Sequence, residues 1–284
     1  MIDLWRGSLV VVAASFIGAA VACAFILWWA GLLPSLSVAG TPYAYCKILR
    51  VPVYGSVVTI RPETLPQDPA EPASADPLMF DSSYAVSSEI EDTLRAASAD
   101  PSIRGLLIDV DSSGGGSVAG DEIAKAIRRF GRPSVSVIHE FGASSGYLVA
   151  AAADMVFASE VSTIGSIGTT YSYVDYSKQN AQEGITFHQL SSGPYKDTSN
   201  PDKPLTEAER ALIMRNVKID RDNFVERVAE YRHQPYEKID ALADGSAMLG
   251  EAALESGLID QIGGTEEALA YLEQAIGEPA AVCW

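Results

Sequence analysis

Three serine- and glycine-rich turns and one lysine are the parts of this sequence that could do chemistry. The turns are residues 111–117 (DSSGGGS), 141–147 (FGASSGY) and 162–169 (STIGSIGT), and the lysine is Lys196 in the segment SGPYKD. Consecutive glycines let backbone N–H groups approach a negatively charged oxygen. A serine in a strand-to-helix turn can be exposed as a nucleophile, and a lysine can serve as its base when burial lowers the lysine pKa.

Each of these residues also has an ordinary structural interpretation. Ser144 could be a helix N-cap, which is the commoner role of serine in that place. Ser166 could satisfy its own turn, and Lys196 could be a surface residue. His139, at the end of a predicted strand, and His188, in an apolar run, are alternative bases, although neither lies in a recognisable triad context. The sequence does not favour a phosphate-binding P-loop, because no Gly-Lys-Ser/Thr follows the glycines.

The composition excludes several classes of protein. The 284 residues include 20 Lys and Arg against 37 Asp and Glu, so the net charge is −17. A chain this acidic is a poor partner for nucleic acid, since phosphate binding needs a cationic surface. Three cysteines are too few for a disulfide framework or a four-cysteine zinc site. No feature of the sequence calls for a metal or a cofactor.

The N-terminal segment, residues 1–40, is predicted to be a membrane anchor. No charged residue occurs between Arg6 and Lys47, and residues 9–33 are almost wholly apolar. At about 1.5 Å per residue, this stretch is long enough to cross a bilayer core of about 30 Å. The alternative is a cleaved signal peptide with its cleavage site at residues 38–40, but the apolar stretch exceeds a signal peptide's usual length.

The body that follows, residues 41–284, is predicted to lie on the extracytoplasmic side of the membrane. Arg6 is the cation nearest to the anchor on its N-terminal side, and cations favour the cytoplasmic side. In an oxidising compartment Cys46 and Cys283 could form a disulfide; the alternative is two free thiols.

Strands alternating with helices along the body predict an α/β fold with a parallel sheet and flanking helices. A proline-rich loop is expected at residues 61–78. The strands are predicted at residues 105–110, 134–138, 155–158 and 186–190, with a strand pair around Gly55 within residues 47–60. The helices are predicted at residues 87–99, 121–130, 145–153, 206–231, 250–256 and 265–276.

Six segments between residues 105 and 264 together resemble the signal peptide peptidase A (SppA) family, peptidase family S49, in its short single-domain form. They follow the family's order and spacing, which makes the resemblance far more specific than any one segment. The segments are SSGG at 112–115, ASSGY at 143–147 with AAAAD at 150–154, TIGSIG at 163–168, SGPYKD at 192–197 with PLTE at 204–207, DGS at 244–246, and GEAALESGLID at 250–260.

The resemblance implies a role for each matching residue. Ser144 falls on the family nucleophile and Lys196 on its general base. Ser166 falls on the serine that orients this lysine. Gly114 and Gly115 fall on the turn whose N–H groups stabilise the oxyanion. Because burial lowers the pKa of a lysine, Lys196 is expected to lie among apolar groups.

Two departures from the family pattern affect these roles. Ser145 replaces a glycine directly after the nucleophile, so it competes with Ser144 for that role, although the register of Tyr147 favours Ser144. Asp111 stands where the family has asparagine. A carboxylate near an oxyanion would oppose the negative charge, so the Asp111 side chain is expected to point away.

The family resemblance further implies a Clp-protease/crotonase-like fold and a homo-oligomer in which neighbouring protomers complete each Ser–Lys dyad. The implied substrates are residual signal peptides and other unfolded apolar peptides at the membrane. Two alternatives remain open. One is a crotonase-type acyl-CoA enzyme, which shares the glycine turn, and the other is a non-catalytic membrane scaffold of the same fold.

Overall fold

The computed structural model describes residues 46–62 and 84–283. The predicted anchor, residues 1–40, and most of the predicted proline-rich loop, residues 61–78, lie outside the described residues. No helix within the described ranges is long and apolar enough to cross a membrane.

Strands and helices alternate along the described chain. The strands are β1 (Ile48–Val58), β2 (Tyr84–Val86), β3 (Gly105–Gly115), β4 (Ser134–Ala143), β5 (Met155–Ala158), β6 (Thr163–Gly165), β7 (Ala247–Leu249), β8 (Gln261–Ile262) and β9 (Val282–Cys283). The helices are α1 (Ser87–Ala99), α2 (Ser117–Phe130), α3 (Ser145–Ala151), α4 (Ser177–Gln182), α5 (Glu207–Tyr231), α6 (Tyr236–Leu242), α7 (Gly250–Ser256) and α8 (Thr265–Ile276).

The strands form one mostly parallel sheet in the order β2-β1-β3-β4-β5-β8. Strand β9 pairs with β1, and β6 pairs with β4, both in parallel, whereas β7 pairs with β6 in the antiparallel direction. The prediction of an α/β fold with a parallel sheet and flanking helices is therefore confirmed.

The central strands are buried on both faces, which is why they read as continuous apolar runs. Helices α1, α2 and α3 contribute to the larger apolar core, together with Ile108 and Val110 of β3. Helix α8 contributes Ala268 and Leu272 to a smaller core that includes Leu107 of β3. Two packed layers thus hold β3 and β4 rigidly, so the turns that follow these strands are fixed in place.

Two predicted elements are wrong. Residues 47–60 do not form a strand pair, because β1 is a single strand whose two halves both run parallel to β3. Gly55 has a φ of 64° and lies where the register shifts, because Tyr54 pairs with Asp111 and Ser56 with Gly114. Gly55 therefore lies opposite a bulge, whose extra residue is in β3, and not in a turn. Residues 186–190 form no strand, since they pair with no other strand in the described chain and are largely exposed.

A disulfide joins Cys46, just before β1, to Cys283 in β9. The two Cα atoms are 5.5 Å apart, a separation that suits the cross-link. Of the two alternatives for these cysteines, the structure therefore contains the disulfide. It ties the beginning of the described body to its end, 237 residues later.

Candidate active site

Ser144 occupies the sharp turn between β4 and α3. Its backbone has φ 52° and ψ −130°, a conformation that residues with side chains rarely adopt. The Ser144 N–H donates to the Gly165 carbonyl at 2.8 Å, and the Ser144 carbonyl accepts from the Leu148 N–H at 3.1 Å. These bonds hold the strained turn, and the half-buried side chain is positioned by backbone rather than by its own hydrogen bonding.

Glycines around Ser144 allow the turn to form. A Cβ built on Gly114 would lie 2.6 Å from Ser144 Cβ, and one on Gly120 would lie 2.7 Å from Ser145 Cβ. A Cβ on Gly146 would lie 2.7 Å from the carbonyl oxygen of Ser112. All three separations are too short for real atoms, so the glycines of β3, α2 and α3 permit the close packing on which the position of Ser144 depends.

The two predicted oxyanion donors differ in their surroundings. Gly114, with a φ of 109°, donates its N–H to Ser112 Oγ at 3.1 Å. Gly115 is pressed against β1, where its Cβ would lie 2.2 Å from the carbonyl oxygen of Val57. Gly115 and Ser144 line one cavity, so the Gly115 backbone borders the space in front of the serine.

Ser144 lies between two cavities, both walled by α5. The Ser117 cavity, of about 310 Å³, is also lined by Gly115 and Ser117 of the β3–α2 turn. The Ser166 cavity, of about 670 Å³, is also lined by Ser166 and Gly245. The serine can therefore be approached from two sides.

Ser166 lies beside Ser144 because of strand register. Strand β6 pairs with β4 so that the last residue of each, Gly165 and Ala143, stand opposite one another. The residue that directly follows each strand is a serine, Ser166 after β6 and Ser144 after β4. Ser166 has a φ of 49°, and its Oγ donates to the Gly245 carbonyl at 3.1 Å. The structure thus brings together two of the predicted site residues, and Ser166 faces the larger cavity.

Ser145, the competing nucleophile, is only 3% exposed. Its Oγ is buried without a hydrogen-bond partner, and it borders the Ser117 cavity alone, whereas Ser144 borders both cavities. The packing of Ser145 against Gly120 leaves Ser144 as the more accessible of the two hydroxyls.

Lys196 is exposed, and it lines neither of the two cavities of its own chain. Its side chain makes no hydrogen bond or ion pair within residues 46–62 and 84–283. The expectation that Lys196 is buried among apolar groups is therefore wrong for a single chain. Its turn, unlike the serine turns, is not attached to the sheet, so nothing in the fold of one chain draws it toward Ser144.

The other lysines near Ser144 are paired with carboxylates. Lys218 lines the Ser166 cavity, but a hydrogen bond to Asp222 raises its pKa, which keeps the amine protonated. Lys125 lines the Ser117 cavity and forms an ion pair with Asp121. Neither is suited to accept a proton from Ser144.

The alternative bases are placed elsewhere. His188 is exposed in an irregular segment. His139 Nε2 contacts the carboxylate of Asp109, which is 1% exposed and also accepts from Arg50 Nε at 2.7 Å and from the Tyr54 hydroxyl. Burial by itself raises the pKa of Asp109, but these hydrogen bonds outweigh it and lower the pKa. The network turns His139 toward a separate pocket that Ser144 does not line.

Asp111 also lines this separate pocket and neither of the cavities beside Ser144. Its Oδ1 accepts from the Phe141 N–H at 3.0 Å. The carboxylate therefore points away from the glycine turn, as predicted.

Asp220 of α5 is a site residue that the sequence analysis missed. Its Oδ2 accepts from Ser117 Oγ at 2.7 Å and from Thr169 Oγ1 at 3.2 Å. It therefore ties α5 to the turns on either side of Ser144. Asp220 lies three residues after Val217 and four before Phe224, so helical spacing puts it on the same face as these two apolar residues. A charge at that position was the signal in the sequence that could have identified it.

Comparison with known proteins gives consistent results. The family model described as Peptidase family S49 matches residues 126–277. A candidate signal peptide peptidase SppA of Enterococcus faecium is 35% identical over 184 residues, which cover 64% of this chain and 54% of that protein. A candidate protease of Methanocaldococcus jannaschii is 33% identical over 177 residues, covering 62% of this chain and 57% of that protein.

Matches to other proteins are more distant. Protease 4 of Haemophilus influenzae is 27% identical over 188 residues, covering 65% of this chain and 30% of that protein. The chain thus matches little more than half of the length of its first curated relatives. A solved structure, a mutant of ClpP1 from Listeria monocytogenes, aligns with a TM-score of 0.49 and 15% identity over 77% of this chain and 93% of that one. The Clp-protease/crotonase-like fold stays a prediction.

Proposed function

Because this chain belongs to peptidase family S49, we propose that it is a membrane-anchored serine endopeptidase with Ser144 as its nucleophile. The observation that carries the proposal is the strained turn at Ser144, which stands between two cavities with the glycine turn pressed against it. Strain of this kind costs stability, and it is typical of functional positions. An N-cap serine would not need it, and Ser144 makes no side-chain cap.

The proposed reaction is peptide hydrolysis through an acyl-enzyme. Ser144 Oγ attacks the peptide carbonyl carbon while the neutral amine of Lys196 accepts the hydroxyl proton. Of the two predicted donors, the backbone N–H of Gly115 stabilises the oxyanion, since that of Gly114 is donated to Ser112 Oγ. Such an interaction is typically worth several kcal/mol. Lys196 then protonates the leaving amine, and water, deprotonated by Lys196, hydrolyses the ester. Ser166, beside Ser144 in the larger cavity, orients the lysine.

The proposed source of the lysine is a neighbouring copy of the chain. Residues 169–208, the Lys196 arm, include no buried residue, and Leu190 in this arm is 98% exposed. Buried atoms of Asp197 and Ser199 in the arm have no hydrogen-bond partner. An arm this poorly packed gains stability by packing against another subunit. The Ser166 cavity of that subunit is open to receive Lys196 of the arm.

The proposed location is the extracytoplasmic face of a membrane, with residues 1–40 as the anchor. The disulfide between Cys46 and Cys283 supports this side, because such bonds persist in oxidising compartments. An anchored site would act on residual signal peptides and other unfolded apolar peptides left at the membrane. The E. faecium relative is itself named for the cleavage of signal peptides.

Hydrolysis of fluorogenic peptides by the full chain in a mild detergent tests the proposal. The Ser144→Ala and Lys196→Ala variants are expected to lose at least about a thousandfold in kcat/KM, as is usual for members of a catalytic unit. Activity that survives without Ser144 would refute the assignment. An assembled parent that cleaves no peptide would favour the scaffold or the acyl-CoA enzyme.

A further inference from the structure

We infer that the Ser117 cavity binds a basic side chain of the substrate, lysine or arginine, and that Asp220 is the carboxylate that selects it. The inference rests on the proposed peptidase function and names a substrate class for the same site. It concerns the side chain next to the peptide bond that Ser144 attacks.

The position of the cavity makes it the substrate side of Ser144. Ser166, which is proposed to orient the base, lines the other cavity. Ser144 and Gly115 both line the Ser117 cavity. A carbonyl attacked by Ser144, with its oxygen at the Gly115 N–H, therefore places the adjoining side chain in this space.

Asp220 brings an uncompensated negative charge to the wall of this cavity. Both of its hydrogen bonds, from Ser117 and Thr169, reach the same oxygen, Oδ2. Oδ1 accepts no hydrogen bond from the part of the chain that the structure describes, and no lysine, arginine or histidine there pairs with Asp220. A carboxylate oxygen in this state can accept a hydrogen bond from a bound cation, and such charge-assisted bonds are among the stronger ones.

The cations of the same cavity are compensated by other acids. Lys125 pairs with Asp121. Arg227 pairs with Asp121 at 3.4 Å and with Glu230 at 3.0 Å. These pairs leave little attraction for an acidic side chain, so the charge that a ligand would meet is that of Asp220.

The remaining wall suits a long side chain with a polar end. Val118, Leu148 and Phe224 provide apolar surface along which an alkyl stem can lie. A leucine side chain would leave Asp220 Oδ1 without a partner, which disfavours it.

The test compares four peptides that differ only in the residue before the cleaved bond: lysine, arginine, leucine or glutamate. For the full chain in detergent we expect kcat/KM to be about tenfold higher with lysine or arginine than with leucine. Asp220→Asn should lower this ratio about tenfold while cleavage of the leucine peptide persists, which shows that the variant is folded. Glu226→Gln removes the same charge from an exposed position on α5 that lines neither cavity, so its ratio should match the parent.

Each outcome separates the two proposals. If the parent cleaves peptides but prefers leucine or glutamate, or if Asp220→Asn leaves the ratio unchanged, the inference about Asp220 is wrong and the peptidase function stands. If the parent cleaves none of the four peptides, the peptidase function fails, and the inference fails with it.

Discussion

The backbone of Gly114 lies directly against the side chain of Ser144. A Cβ at Gly114 would come within 2.6 Å of Ser144 Cβ and 3.1 Å of Ser144 Oγ, and the φ of 109° at Gly114 is itself unsuited to a side chain. The glycine turn proposed to hold the oxyanion and the turn that carries the proposed nucleophile are thus packed as one unit, with no room for a methyl group between them.

Gly114→Ala is therefore expected to displace Ser144 and to abolish peptide hydrolysis. It should also lower the free energy of unfolding by about 1–3 kcal/mol, through strain at this φ and the steric clash. Gly116→Ala is the matched control, since a Cβ there would meet nothing closer than 3.7 Å. Hydrolysis and urea denaturation of both variants check this. A Gly114→Ala variant as active as Gly116→Ala would contradict the packing described for the two turns.

Ser145→Ala is expected to stabilise the protein, in contrast to most substitutions of buried residues. The Ser145 hydroxyl is buried without a partner, and removing such a group relieves a desolvation penalty of about 1 kcal/mol. Ser112→Ala is the comparison, because Ser112 Oγ donates to the Gly55 carbonyl at 2.6 Å and accepts from Gly114. That variant should be destabilised by about 1–2 kcal/mol. Urea denaturation measures both, and equal destabilisation would show that Ser145 is hydrogen-bonded in solution.

Glu209 should make the stability of α5 depend on pH. Hydrogen bonds from Lys203 and from the Thr206 backbone lower the pKa of Glu209 from 4.5 to about 2. A lowered pKa in the folded state means that the stabilisation is complete above pH 4.5 and is lost as the pH falls from 4.5 through about 2. Glu209→Gln should lower the melting temperature at pH 7. Between pH 4.5 and about 2 the melting temperature of this variant should decrease less with falling pH than that of the parent.

Glu207→Gln, on the same turn of α5, is the control for Glu209. Glu207 is 93% exposed and lies 3.8 Å from Arg210, so its loss should change stability little. If both variants show the same melting temperatures from pH 7 to pH 2, Glu209 does not provide the proposed pH dependence.

The disulfide between Cys46 and Cys283 should stabilise the folded body by limiting the freedom of the unfolded chain. The paired substitution of both cysteines by serine is expected to lower the free energy of unfolding by about 2–4 kcal/mol. A reducing agent should lower the stability of the parent equally and leave the variant unaffected. If thiol titration of the unreduced protein detects both cysteines as free thiols, the cross-link is absent.

The sequence was sufficient to predict the strand before Ser144 and the helix after it, whereas the short strand β6 that precedes Ser166 was not predicted. Helices at residues 87–99, 250–256 and 265–276, and the strand at residues 155–158, have the predicted bounds. These segments are buried on a regular period, so local pattern and tertiary packing favour the same structure. The turns at Ser144 and Ser166 follow strands of one parallel sheet, which is why their residues meet.

Other features depend on contacts that local sequence does not encode. Gly55 suggested a hairpin because a positive φ serves a turn and a bulge equally well, and only pairing with β3 decides between them. The burial of Asp109 depends on partners from β1 and β4. Lys196 was predicted to be buried, but the described residues of one chain leave it exposed. The surface proposed to bury Lys196 belongs to another subunit, so the sequence of one chain folded alone does not provide it.

The most direct measurement of the central claim is the activity recovered when Ser144→Ala and Lys196→Ala chains are unfolded, mixed in equal amounts and assembled together. If each site combines Ser144 of one copy with Lys196 of its neighbour, random mixing should restore about a quarter of parental activity, because half of the chains supply each residue. A mixture of Ser144→Ala with the double variant should stay inactive. Parent-like assembly of the mixed chains without any recovered hydrolysis would contradict the shared Ser–Lys site.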